Sequence, residues 1–591
     1  MHLSQKSLTD DTPSGHRAGK PRRAETRRNA DVRNVRSVRA IGLATLVAAN
    51  LGGAALAQPR PHEQLIVGMT SFPPSEHPYI DPLIVKSWVL GLASRQVTMF
   101  TPDWQNVCSL CTEVPSLDNG RVTMETQPDG TPGLAVRWTL RKDLFWGDGV
   151  PLTTKDIAYT AKVGGDTGSG FPDARVWGRV RSVDVVDDQT IVLHLDEVTP
   201  LYNRMGKLLS EHSDGPAFYR ATKPGDYLNG TVYNRAPTTP GLWNGPYLIT
   251  SYDSGSQIVL EPNPHWTGKA PAIKRIVARS IADTAALQAN LLSGDIDMAP
   301  GDAIGLQLDQ VLAMQKDNPT GFQYVYNDAL AFWNIDFDLD NKFLADVRVR
   351  RAILLAIDRK TMSEKLVGGR FTLAATWVPP KEPMFVQGLP VAPYDPAQAR
   401  TLLKEAGYTP GPDGILRNAQ GERFSIDLHM GLGVRLMELV ELVVQNQLKA
   451  VGIDVVLRNE VQRTFFGTTL KHRQYGGLAL YNWLFNVSYP PRQLYGLTAI
   501  PTEANGWGGS NYMDWRNQAF EDQLKIAETA LGPAEQKAAW ADMQRLYAED
   551  LPALPLFFVP QAHVIPTWLK GYVPSGMVDY TTLRAEDWHA E

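Results

Sequence analysis

The sequence predicts an α/β protein built from at least two lobes. Its 591 residues exceed what one hydrophobic core ordinarily organises. Helix–glycine–strand units recur along its second half, the pattern of sheets flanked by helices. Hydrophobic residues make up 43% and charged residues 20%, a globular balance rather than a disordered one.

The first segment stands apart. Residues 1–39 hold ten Lys and Arg side chains, residues 40–49 form a short apolar run, and Ala55-Leu56-Ala57 supplies a small-x-small end. A basic, then apolar, then small-residue order predicts a secretory signal peptide over residues 1–57, cleaved after Ala57. The alternative, a membrane anchor, needs a longer run than Asn50 and Gly52-Gly53 leave uninterrupted. No cysteine stands at the cleavage point, so no lipid anchor is expected. Of 58 Lys+Arg and 63 Asp+Glu, 10 and 4 fall in residues 1–57, leaving a mature chain of charge −11. Such an acidic surface argues against nucleic acid or anionic membrane as partner.

The two cysteines, Cys108 and Cys111, are spaced C-x-x-C. In an oxidising compartment they read as a small structural disulfide. No thioredoxin-like context surrounds them, and two thiolates alone make a poor zinc site.

Further elements follow in order. Residues 64–73 read as a strand running into a loop, 135–140 as an alternating strand, and 182–195 as two strands joined at Asp187-Asp188. Residues 200–245, rich in Gly, Pro, Asn and Thr, read as loop. Residues 285–294 read as a helix closed by Gly294, with 295–299 following as a strand. Periodicity predicts helices over 347–358, 394–408, 435–452 and 533–550. The second is punctuated by Asp395 as N-cap, Pro396 in its first turn and Gly407 at its end. Residues 453–457 and 552–559 then read as strands.

Residues 140–157, LRKDLFWGDGVPLTTKDI, combine a strand, a Gly-Asp-Gly turn and a helix opened by Thr153-x-x-Asp156. Gly147 and Gly149 permit tight backbone geometry, and Thr153 with Asp156 forms a capping pair. NGPYLITSY (244–252), EPNPHWTGKAP (261–271), ALQANLLSGDIDMA (286–299), DVRVRRAILLAIDR (346–359), YDPAQARTLLKEAGY (394–408) and LPALPLFF (551–558) follow. Together, across residues 64–575, these stretches resemble the family 5 extracellular solute-binding proteins, the dipeptide- and oligopeptide-binding class of ABC importers.

The resemblance implies a two-lobe periplasmic-binding-protein fold of type II, in the large cluster with an extra subdomain inserted in lobe I. Lobe I would take residues 58–97, 239–330 and, on the return, 557–591. The insertion would take 98–238 and lobe II 331–556, with crossings near 331–337 and 556–560. It also implies a periplasmic, monomeric carrier without catalytic residues or cofactor. Such a carrier closes on its ligand by hinge motion and delivers it to the transmembrane subunits of an ABC permease.

Peptide-binding members resemble one another at a Trp-x-x-Asp stretch with Pro seven residues after the Trp, and that Asp pairs with the peptide's α-ammonium. This chain reads YNWLFNVSYPP over 481–491: Trp483 and Pro490 keep the spacing, and Asn486 stands where the resemblance expects Asp. An amide hydrogen-bonds but does not neutralise a buried ammonium. The ligand is therefore either a peptide, with another acid supplying the charge, or a non-peptide such as an oligosaccharide, opine or metal chelate.

Candidate ligand contacts are Thr70 and Ser71 after the first strand, Trp333 at the crossing, Trp377 and Trp507 in loop-like stretches, and Tyr481, Trp483 and Asn486. A secreted hydrolase is the rival class, since carboxylate pairs and aromatics suit a glycosidase. Yet no G-x-S-x-G or H-E-x-x-H motif occurs, and His212, His265, His429 and His472 stand apart, which also weakens a metal-carrier reading.

Overall fold

The computed structural model describes residues 62–81, 83–170, 177–301, 304–577 and 581–591. The expected signal peptide lies outside the described residues.

The first lobe is organised by a four-stranded sheet. Gln64–Met69 pairs in parallel with Arg275–Ser280, and Gln257–Pro262 and Tyr247–Asp253 continue it antiparallel. Gln64–Met69 is apolar almost throughout and buried on both faces, as a covered parallel strand requires. At Gly68 a Cβ would lie 2.4 Å from Leu287, so glycine lets the helix Thr284–Ser293 close onto this sheet.

A second sheet belongs to the insertion. Val122–Thr126, Pro132–Thr139, Thr190–Leu195 and Val180–Val185 pair antiparallel in that order. Alternation along Pro132–Thr139 sends Leu134, Val136 and Trp138 into a separate apolar core. That core draws on residues from Val97 to Leu208, whereas Leu209, Phe218, Tyr227, Tyr233 and Leu242 pack with the first lobe's own sheet. Within the insertion, Cys108 and Cys111 are joined as a disulfide, their Cα atoms 5.2 Å apart.

The Gly-Asp-Gly turn has its expected geometry. Gly149 adopts φ +87°, a region that favours glycine. The Thr153 Oγ1 accepts from the Lys155 amide at 3.3 Å, and Asp156 accepts from the Thr153 amide at 3.0 Å, opening the helix Thr154–Gly165.

The second lobe is built on six strands in the order Thr372–Leu373, Ala553–Phe558, Ala331–Phe337, Leu478–Leu484, Ser425–Gly431 and Asp454–Glu460. The last three run parallel, and the helix Arg435–Ala450 connects Ser425–Gly431 to Asp454–Glu460. Asp395 caps Pro396–Glu405 as expected, accepting from the Ala397 and Gln398 amides.

The chain passes between lobes twice, side by side. Phe322–Asn327 pairs antiparallel with Gln561–Pro566, and these strands lead through residues 328–330 and 559–560 into the six-stranded sheet. Ala331–Phe337, near which the sequence places the first crossing, follows residues 328–330 directly as a buried strand of the six-stranded sheet.

Two local expectations change. Residues 200–245 contain the helices Glu211–Arg220, Asp226–Gly230 and Val232–Arg235 rather than loop alone. Their organiser is the buried Asp214, which accepts from Tyr159 Oη (2.9 Å), Tyr227 Oη (2.6 Å), Thr231 Oγ1 (2.7 Å) and the Val232 amide (2.8 Å). Residues 295–299 form single bridges, Met298 to Val67 and Ala299 to Val564, instead of a strand. There the Asp297 carboxylate takes the Ile66 amide at 2.7 Å in place of a ladder partner.

Candidate functional site

The strand Leu478–Leu484 positions the expected ligand motif. Its pleat turns Ala479, Tyr481 and Trp483 to one face and Leu478 and Leu480 to the other. Register then decides which candidates can meet. Tyr481 lies opposite Asn334 and Trp483 opposite Phe332, so Trp333 points to the far side of the sheet. There it packs in the main core, its ring 5.4 Å from Phe371.

On the near face, the Trp483 ring stacks on Tyr512 at 6.1 Å and meets the Tyr481 edge at 5.5 Å. Tyr481 is buried, and its hydroxyl donates to Asp336, which also accepts from the Asn334 amide group. Burial pushes the Asp336 carboxyl up to about 7. Tyr481 thus supports Trp483 from beneath.

After this strand the chain turns at Asn486, whose carbonyl accepts from the Tyr489 amide at 3.3 Å. Trp483, Asn486 and Tyr489 line a cavity of about 960 Å3 between this turn and the insertion. The insertion contributes Arg179, Asp196, Glu197 and Thr199, and the second lobe adds Arg492 and Glu528. The volume is in the range of small-molecule sites.

Three carboxylates face two guanidinium groups here, so the lining carries a net negative charge. Arg179 pairs with Glu197. Arg492 grips Glu528 with two bonds of 2.6 and 2.7 Å and Glu521 with one of 2.8 Å. Partial burial pushes the Glu197 carboxyl above the usual range, Arg179 opposes this, and the nearby Asp196 and Glu528 reinforce it.

Of the eight candidate contacts, Trp483 and Asn486 are brought together at this cavity. Thr70 and Ser71 are half-buried beyond the first lobe's leading strand, where the Thr70 amide bonds Ile304 O at 2.8 Å. Trp507 is half-buried against His472, ring centroids 4.8 Å apart. Trp377 is 2% exposed and sealed among Tyr495, Phe520 and Tyr547 at 5.1–6.0 Å. Its stretch looks like a loop in sequence, but the chain folds it inward under the helices Gln518–Thr529 and Pro533–Asp550. Trp377→Ala should therefore cost about 3–5 kcal/mol of folding stability, read by chemical denaturation, while leaving ligand preference unchanged.

Sequence reasoning missed Arg179, Glu197, Thr199, Arg492 and Glu528. No local pattern marks them, since the insertion's residues reach the turn at Asn486 only through the fold. Among the described residues no group of three or more His, Cys, Asp or Glu could hold a metal ion, and no helix is long and apolar enough to cross a membrane.

Comparisons with known proteins agree with this architecture. The model of the bacterial extracellular solute-binding proteins, family 5 (middle region), matches residues 124–503. The periplasmic oligopeptide-binding protein OppA of Escherichia coli is 23% identical over 510 residues, covering 79% of this chain and 86% of OppA. The oligopeptide-binding protein of Thermus thermophilus, solved with a pentapeptide, superposes with TM-score 0.67 at 25% identity, over 90% of this chain and 96% of that one. NikA of Brucella suis, solved with Fe(III)-EDTA, superposes with TM-score 0.72 at 18% identity, over 89% of this chain and all of that one, a likeness of fold alone. With its α/β lobes, paired crossings and inserted sheet, this chain belongs to the bacterial extracellular solute-binding proteins, family 5.

Proposed function

We propose that the chain is the periplasmic ligand-binding component of an ABC importer. It captures a peptide in the cavity between the insertion and the second lobe, and hands it unaltered to a membrane permease as a monomer. The observation carrying this reading is the cavity of about 960 Å3 built around Trp483 and Asn486, on the turn that resembles the amine-binding stretch of peptide carriers. The peptide-binding relative and the pentapeptide-bound neighbour support the ligand class. Asn486 offers an amide where those carriers resemble one another in a carboxylate. The lining's three carboxylates, Asp196, Glu197 and Glu528, outnumber its two guanidinium groups, Arg179 and Arg492, by one, and that excess negative charge would answer the ammonium that the amide does not neutralise.

A second reading keeps the carrier role with a neutral or chelated ligand, such as an oligosaccharide, opine or metal chelate. Asn486 beside Trp483 and Tyr489 favours it, because amides and aromatic rings suit hydroxylated ligands. A thermal-shift panel of tripeptides, N-acetylated tripeptides and oligosaccharides distinguishes them, since a ligand bound only by the folded form raises the melting temperature. Free-amine peptides should raise it and be recovered intact. A rise with oligosaccharides alone would favour the second reading, and consumption of any ligand would contradict both.

A further inference from the structure

The turn that carries Asn486 is held from two sides. Within the second lobe, the Glu382 carboxylate accepts the Ser488 amide at 3.0 and 3.1 Å and also takes the Ser488 hydroxyl. Glu382 is 6% exposed, and Ser488 adopts φ +47°, a region that serine enters only against strain. A buried acid that takes both donors of one residue fixes that backbone where it would not rest unaided.

From the other side comes Arg204 of the insertion. Its guanidinium donates to Val487 O at 2.6 Å and Ser488 O at 3.5 Å, and lies 5.2 Å from the Phe100 ring centre. The same stretch of the insertion lines the cavity through Thr199 and Leu201. Val487 is buried with Trp104 of the insertion and Leu330 of the crossing. The Phe485 amide bonds Leu330 O at 3.0 Å. Lys381, next to Glu382, lies over the Trp104 ring at 5.1 Å.

We propose that Glu382 and Arg204 are positioning residues that set Asn486 in the ligand cavity, Glu382 from its own lobe and Arg204 from across the interlobe boundary. The proposal rests on the carrier reading for its purpose, since a turn gripped by both lobes presents Asn486 only when the lobes stand in this relation. Ligand contact and lobe closure are thereby coupled through residues 486–488. Burial pushes the Glu382 carboxyl up, while the Ser488 bonds and the Arg204 charge oppose that.

The test is amide hydrogen exchange over residues 485–489, read by mass spectrometry on the full mature chain without ligand. Alongside it, trialanine affinity and melting temperature are measured. Glu382→Gln and Arg204→Met should each speed exchange at this turn at least tenfold and weaken trialanine at least tenfold. The melting temperature should stay near that of the parent, and Arg204→Lys should restore slow exchange in part. Asn486→Ala should lose trialanine binding while keeping slow exchange. Parent-like exchange in both Glu382→Gln and Arg204→Met would overturn the proposal. Parent-like trialanine binding by Asn486→Ala would instead overturn the carrier site, and the exchange data would still decide the role of Glu382 and Arg204.

Discussion

Asn486→Asp should raise the preference for free-amine over N-acetylated peptides by at least tenfold. The substitution restores the carboxylate that peptide carriers resemble one another in having, at a position that lines the cavity beside Trp483. An ammonium taken from water into such a cavity is costly without a counter-charge, and removing one partner of a buried pair costs about 3–5 kcal/mol. A tenfold change asks for only about 1.4 kcal/mol, well inside that range even with Asn486 at the exposed rim. Calorimetric titration with trialanine and N-acetyl-trialanine measures the ratio. The same ratio in parent and variant would remove Asn486 from contact with the ligand.

Asp336→Asn should stabilise the protein at pH 8 and leave it unchanged at pH 4. Asp336 is 1% exposed and accepts from Tyr481 and Asn334, with its carboxyl pushed up to about 7 by burial. In the unfolded chain the same group titrates near 3.9. Below about pH 4 both states hold the proton and Asp336 costs nothing. As pH rises towards 7 the unfolded state releases its proton first, so stability falls, and above 7 the loss is complete. Three units correspond to about 4 kcal/mol, an upper bound on the gain from the amide. Urea denaturation across pH 4–8 checks it: the parent should lose stability with rising pH more steeply than Asp336→Asn. Parallel curves would mean that Asp336 keeps its charge in the folded state without penalty.

Legibility of the chain divides along the range of the interactions. Elements set by their own residues were readable, as with the Thr153–Asp156 cap, the Asp395 cap, Gly294 and the helix–strand alternation of the second lobe. Residues 200–245 misled because Gly215, Pro216 and the Asn and Thr residues weigh locally against helix, whereas Asp214 gathers Tyr159 from one segment and Tyr227 and Thr231 from another. The site divides in the same way. Trp483 and Asn486 fall at one cavity because one strand and its turn carry both. Trp333 lies on the other face of the sheet, in the main core, because its neighbours across the sheet, not its own stretch, decide which face it occupies. Glu197 and Arg492 left no local trace, since only the packing of the insertion against the second lobe brings them to one cavity.

We propose that the two lobes enclose a ligand reversibly and leave it unchanged. Native mass spectrometry of the mature chain incubated with an equimolar tripeptide mixture tests this most directly. A one-to-one adduct should form, persist for hours and release intact tripeptide on denaturation. Bare protein in the presence of the mixture, or tripeptide returned as shorter fragments, would contradict it.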